Sequence, residues 1–275
     1  MKDFSACLEA VRRTAPLVHN ITNYVTATDV ANAILALGAS PIMADEPEEA
    51  AEICALCASL NINIGTLNSR SIESMFVAGR KANELGLPTL LDPVGVGASQ
   101  LRLRTALRLM RELKLTLIRG NSSELKTLAL GSGTTRGVDA EAADQITEEA
   151  LPQAVRFVRA FAARSGSIIV MTGSIDVVSD AEHTYLIRNG RPEMRRITGT
   201  GCQLSGLISA FLAANPEAPL EASAAAVALM GLAGEIGWSQ MRAEDGNSTY
   251  RNRIIDAIER LDGPALQHNA RWELR

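Results

Sequence analysis

Short apolar or β-branched runs recur along this chain, separated by longer stretches in which apolar residues return at helical spacing. The runs "SPIMA" (40–44), "NINIG" (61–65), "PTLLD" (88–92), "LTLIRG" (115–120) and "SIIVMTG" (167–173) each predict a strand, and helical periodicity follows each of the first four. Strand and helix in alternation predict an α/β fold, a three-layer sandwich with a mostly parallel central sheet flanked by helices. Two later runs, "IDVVSD" (175–180) and "HTYLIRNG" (183–190), lie close together with turn residues between them and predict an antiparallel hairpin at one side. From residue 200 onward nearly everything reads as helix, and the pattern fades into a polar tail at 266–275. His19 is read in a loop, Trp238 as a packing residue and Trp272 as part of the tail. The Gly/Ser/Thr-rich "LGSGTTRGVDA" (130–140) reads as a surface loop too short to divide domains, so 1–275 is expected to be one domain.

Composition narrows the picture. The chain has 275 residues, 47% of them hydrophobic, enough for one large core. A net charge of −4 with acids and bases interspersed carries no footprint for a nucleic-acid backbone. The opening "MKDFSACLEAVRR" is an amphipathic helix rather than a basic region followed by an apolar one, so a cytoplasmic setting is expected. Four cysteines then stand reduced. Cys54 and Cys57 form a CxxC inside a helical pattern, without a second pair or a histidine cluster; packing explains them better than metal or redox chemistry. The most apolar segment, "ASAAAVALMGLAG" (222–234), is shorter than the ~20 residues of a membrane span and reads as an interior helix.

Polar residues of unusual type gather where strands end, the side on which open parallel sheets bind ligands. Met43, Asp45 and Glu46 follow one strand, Gly65 and Asn68 another, and Asp92 with "PVGVG" a third. Arg119 with "GNSSE" and Thr172 with Gly173 follow the next two. No GxxxxGK[ST] is present, and "GVGASQ" lacks the third glycine of a dinucleotide turn. Phosphate chemistry would need other parts: carboxylates for a cation, a guanidinium for phosphate oxygens, and amides for the transferred group. Asp92 and Glu124 could hold Mg2+ directly or through its waters, and Arg119 could grip phosphate in bidentate fashion. Gly199, Gly201 and Cys202 stand at a helix start bare of bulk, where unpartnered amides and the macrodipole favour an anion. Glu124 has a competing reading as the third residue of a capping box opened by Asn121, and the glycines one as a tight strand-to-helix turn.

"NITNYVT", "PIMADEPEEA", "NIGTL", "LDPVGVGAS", "IRGNSSE", "VMTG" and "ITGTGCQLSG", in this order from about residue 16 to 260, together resemble the hydroxyethylthiazole kinase family of the ribokinase-like superfamily. The resemblance implies transfer of the γ-phosphate of ATP to the hydroxyl of 4-methyl-5-(2-hydroxyethyl)thiazole in thiamine salvage. It places thiazole contacts on Met43, Asn23 and Gly199, and ATP contacts on Arg119 and Thr172. Asn121 and Glu124 match the NxxE that acts on Mg2+ and phosphate, and Asp92 matches the acid of "LDPVG". It also implies a homotrimer with sites at subunit boundaries. Where sugar kinases of the superfamily carry an aspartate base, this chain has Cys202. The thiol is either a partly ionised base or a group that only orients the hydroxyl, and the loose transition state of phosphoryl transfer favours the second. Phosphorylation of another vitamin-precursor alcohol, of hydroxymethylpyrimidine or pyridoxal type, is the same-fold alternative. A non-catalytic ligand-binding relative is the alternative of a different class.

Overall fold

The computed structural model describes residues 3–131 and 146–275; most of the loop expected at 130–140 lies outside them. The amphipathic opening folds as α1 (Phe4–Thr14), started by Asp3, whose carboxylate accepts from the Ala6 amide at 2.9 Å. Then come β1 (Leu17–Ile21), α2 (Ala27–Leu37), β2 (Ser40–Met43), α3 (Pro47–Leu56), β3 (Ser59–Asn63) and α4 (Ser69–Leu85). The middle of the chain supplies β4 (Thr89–Asp92), α5 (Gln100–Glu112), β5 (Leu117–Asn121), α6 (Ser122–Leu130), α7 (Leu151–Ser165) and β6 (Ile168–Thr172). It ends with β7 (Asp176–Ser179), β8 (Thr184–Ile187), a 3-10 turn (Pro192–Arg196), α8 (Thr200–Ala214), α9 (Pro219–Ser239), α10 (Asn247–Arg260), α11 (Gly263–Asn269) and β9 (Trp272–Leu274).

The strands form one sheet in the order β2-β1-β3-β4-β5-β6-β7-β8-β9. The first six in that order run parallel, and β7, β8 and β9 add antiparallel at one side. Alternating strand residues feed two cores. Val18, Leu90, Leu117 and Val170 face the layer of α1, α2 and α8 to α11. Ile62, Leu91, Ile118 and Ile169 face the layer of α3 to α7. After β1 the chain turns to the edge strand β2, then crosses back to place β3 on the other side of β1. The helix after β1 belongs to one layer and the helix after β3 to the other. Such a reversal leaves a crevice at the carboxyl ends of the two strands, the usual ligand position of open α/β sheets.

The sheet, its two helical layers and the hairpin of β7 and β8 match the expectation from pattern; two strands do not. The pattern predicts no strand at β1, because His19 and Asn20 interrupt its apolar run. Both are buried, Asn20 pairing with Asn61 of β3 at 2.9 Å and His19 meeting the Ala44 carbonyl at 2.8 Å. The tail expected at 266–275 is instead the end of α11 and β9. Trp272 packs its ring 5.4 Å from that of Phe4 and 5.6 Å from that of Tyr185. The interior helix expected at 222–234 is longer than its apolar centre, 21 residues as α9, which is enough to cross a bilayer by length and composition. Burial inside the core, not shortness, accounts for its apolar character.

Candidate functional site

The crevice is built from side chains that hold one another. Asn23, in the turn after β1, accepts at Oδ1 from the Thr26 amide (3.2 Å) and hydroxyl (3.1 Å). Its amide nitrogen donates to Asn63 Oδ1 at 3.1 Å and to Cys202 Sγ at 3.2 Å. Asn63 ends β3, and its Oδ1 also accepts from the Gly65 amide at 2.9 Å. Its Nδ2 donates both to Asp92 Oδ2 at 3.0 Å and to Cys202 Sγ at 3.3 Å. Asp92 ends β4 with no exposed surface, and its Oδ2 takes a further bond from Ser205 Oγ at 2.8 Å. Its other oxygen, Oδ1, is buried without a partner. Arg119 on β5 brings Nη1 to 3.6 Å from Asp92 Oδ2 and donates from Nη2 to Thr172 Oγ1 at 3.0 Å.

α8 starts against this cluster. Its first helical bond runs from the Gln203 amide to the Gly199 carbonyl at 2.9 Å, so the amides of Thr200, Gly201 and Cys202 precede the helical ladder. Gly199 holds a left-handed φ of +88°, and a Cβ there would lie 2.4 Å from Thr26 Cγ2. A Cβ on Gly201 would lie 2.6 Å from both terminal nitrogens of Arg119. The two glycines therefore clear space for specific neighbours, which a simple turn does not require.

Electrostatics separates the titratable groups. Burial pushes the Asp92 carboxyl up, and Arg119, Ser205 and Asn63 oppose that rise. Burial and the neighbouring Asp92 push Glu124 up. The Cys202 thiol, only 7% exposed, is raised chiefly by burial and then by the Asp92 charge. A thiol raised from its ordinary value is protonated at neutral pH.

Glu124 takes the capping-box reading offered from the sequence. With Asn121 it forms a complete capping box, Asn121 Oδ1 accepting from the Glu124 amide at 2.8 Å and Glu124 Oε2 from the Asn121 amide at 2.9 Å. Its other oxygen accepts from the Gly95 amide at 2.9 Å and ties α6 to the loop after β4. Asn23, Asp92, Arg119, Thr172, Gly199, Gly201 and Cys202 are thus brought together, with Asn121 and Glu124 at their side. Met43 stands apart on the edge strand, 39% exposed, and is not the core methionine its type suggests by default. Cys54 and Cys57 are free buried thiols raised to about 11 and about 12, first by burial. Among the described residues no group of three or more His, Cys, Asp or Glu is placed to hold a metal ion.

Pattern reading missed Asn63, Ser205, Arg102 and Asp176. Asn63 had a signal, since "NINI" alternates polar with apolar in a strand buried on both faces. Arg102 donates to the Val94 carbonyl at 2.8 Å and the Gly65 carbonyl at 2.5 Å, joining the loops after β4 and β3. Asp176 accepts from the Gly173 amide at 2.8 Å, and its carboxyl is raised to about 7 by burial against that bond and the charge of Arg119.

A parallel sheet with an antiparallel flank and a helical layer on each face is the ribokinase-like fold expected above. A pyridoxal kinase from Staphylococcus aureus solved with ADP shares this fold, with a TM-score of 0.61 over 94% of this chain and 97% of that one at 15% identity. The family model of the Hydroxyethylthiazole kinase family matches residues 8–263. A hydroxyethylthiazole kinase from Clostridium acetobutylicum is 53% identical over 266 residues, 97% of each chain. One from Desulfovibrio desulfuricans is 44% identical over 98% of each chain. The solved hydroxyethylthiazole kinase protein from Pyrococcus horikoshii OT3 superposes with a TM-score of 0.88 at 33% identity, covering all of both chains. This chain belongs to the hydroxyethylthiazole kinase family.

Proposed function

We propose that this protein transfers the γ-phosphoryl group of ATP to the primary hydroxyl of 4-methyl-5-(2-hydroxyethyl)thiazole, the thiazole-salvage step of thiamine synthesis. The observation that carries the reading is the continuous set Asn23, Asn63, Cys202, Asp92 and Arg119 at the start of α8. In the reaction the hydroxyl oxygen bonds to the γ-phosphorus while the bond from that phosphorus to the bridging β-phosphate oxygen breaks, ADP leaves, and the hydroxyl proton passes to an oxygen of the transferred phosphoryl group. Charge developing on the transferred group meets the amides of Thr200, Gly201 and Cys202 and the guanidinium of Arg119. Thr172, which holds Arg119, belongs to the same phosphate side. Cys202 stays a neutral thiol that orients the hydroxyl, and Asn23 and Gly199 shape the alcohol side.

Mg2+ fits the residues present. Asp92 has one buried oxygen without a donor, and few carboxylates completed by water and phosphate oxygens make the donor set this ion takes. Asp92 would hold it, with Glu124 in support, and bound Mg2+ would neutralise phosphate charge.

The same reading makes the protein a homotrimer. Tyr24 and Val25, beside Asn23, are 80% and 60% exposed, and Met43 lies on the open edge of the sheet. Apolar side chains exposed beside the alcohol crevice suit a site closed by a neighbouring subunit, which is how Met43 would reach the thiazole. Four free thiols suit the cytoplasm.

The test is ATP turnover by the purified protein with Mg2+ and the thiazole alcohol, a hydroxymethylpyrimidine control, and product mass. The expected result is phosphorylation of the thiazole and not the pyrimidine; the reverse preference overturns the reading.

A further inference from the structure

Resting on that reading, the geometry points to Asn63 as a positioning residue that joins the two halves of the site: one side-chain amide sets Asp92 on the phosphate side and Cys202 on the alcohol side together. The two hydrogens of its Nδ2 go to Asp92 Oδ2 at 3.0 Å and Cys202 Sγ at 3.3 Å. A primary amide is planar, so its two N–H directions are fixed relative to each other. Turning the amide toward one partner turns it away from the other. The plane is itself locked from behind, since Oδ1 accepts from Asn23 Nδ2 and the Gly65 amide. Asn63 is 2% exposed and every hydrogen-bonding position on it is used.

Other residues hold only one side. Ser205 reaches Asp92 at 2.8 Å, and Asn23 reaches Cys202 at 3.2 Å. Asn63 alone among these three touches both. It arrives from β3, the strand beside the chain reversal, so the coupling is built into the element order. Displacement of reacting groups by fractions of an ångström lowers kcat more than binding. A residue that sets the separation of the two groups should therefore act on turnover and leave the affinity for ATP nearly unchanged.

The experiment uses full-length enzyme with Asn63→Ala and Asn63→Asp, each in the wild-type and Cys202→Ala backgrounds. Asn63→Asp keeps the size and the acceptor for Gly65; beside the buried Asp92 its carboxyl shares a proton with that group, so it loses the donor to Cys202 while keeping a contact to Asp92, and a thermal melt of each variant establishes that it is folded. In the wild-type background kcat should fall about 10- to 100-fold, the usual cost of losing an outer-shell partner, with KM for ATP near its original value. In the Cys202→Ala background the same substitutions should cost much less, because contacting residues are non-additive. Independently of turnover, the infrared S–H band of Cys202, isolated by difference against Cys202→Ala, should move when Asn63 changes. An equal cost in both backgrounds with an unmoved S–H band overturns the coupling. If the wild-type enzyme leaves the thiazole alcohol untouched, the function reading fails by itself, and the S–H band still decides whether Asn63 acts on Cys202.

Discussion

Gly201 and Cys202 are adjacent, yet they should answer to mutation in different ways. Gly201→Ala puts a methyl group where the Arg119 guanidinium lies, so KM for ATP should rise at least about tenfold, the ~1.4 kcal/mol equivalent of one weakened charge-assisted contact. Cys202→Ala removes an orienting group and leaves the phosphate side intact, so steady-state assays should show reduced but measurable turnover. Gly199→Val combines a left-handed φ with a collision against Thr26 and should lose most activity, as should Arg119→Ala. Asp176 gives a pH signature. Its carboxyl is raised by burial to about 7 in the folded chain, against about 3.9 when unfolded. Between those values the folded state holds a proton that the unfolded state has released. Stability therefore falls as pH rises through this window, and the full cost is present above about 7. Asp176→Asn keeps an acceptor for Gly173 and removes the charge, so thermal unfolding should show a larger gain at pH 8 than at pH 5.

At the scale of elements, strands with apolar runs were legible and those whose polar residues point inward were not. β4 and β6 were placed to within two residues because Leu, Ile and Val feed cores on both faces of the sheet. β1 escaped because His19 and Asn20 look like loop residues until Asn61 and the Ala44 carbonyl are there to meet them; that pairing lies across strands and leaves no local trace. The site divides in the same way. Asp92, Thr172, Glu124 and the glycines of α8 stand at strand or helix ends, and Arg119 two residues before the end of β5, where sequence position speaks. Asn63 and Ser205 act through long-range contacts, and Ser205 is one more small polar residue of a buried helix. β9 escaped because an edge strand of three residues has too little pattern to read. Its Trp272 anchors it on Phe4 and Tyr185. Trp272→Ala should lower stability by about 2 kcal/mol in urea unfolding, less than the loss of a fully buried aromatic because the residue is only partly buried.

For the whole molecule, the two edges of the sheet have different fates. One ends in β9, whose Trp272 packs its ring against Phe4 of α1. The other ends in β2, whose Met43 is open to solvent and lies near the turn that exposes Tyr24 and Val25. Under the trimer proposed above, that second edge is completed by another copy of the chain. Met43→Arg should then shift the mass in light scattering from three chains to one and raise KM for the alcohol at the same time; an unchanged mass would place the interface elsewhere. Substrate affinity and assembly would in that case depend on protein concentration together.

Asn23 and Asn63 have no unused hydrogen bond between them, and under the site proposed above this bears on how the alcohol is selected. Side chains already fixed on every side lose their conformational entropy when the chain folds, so little remains to be lost when a ligand arrives. A socket frozen in advance gives tight discrimination by reach. A hydroxyl on a stem one methylene shorter or longer meets walls that do not follow it, and chain length of the alcohol becomes the property such an enzyme measures.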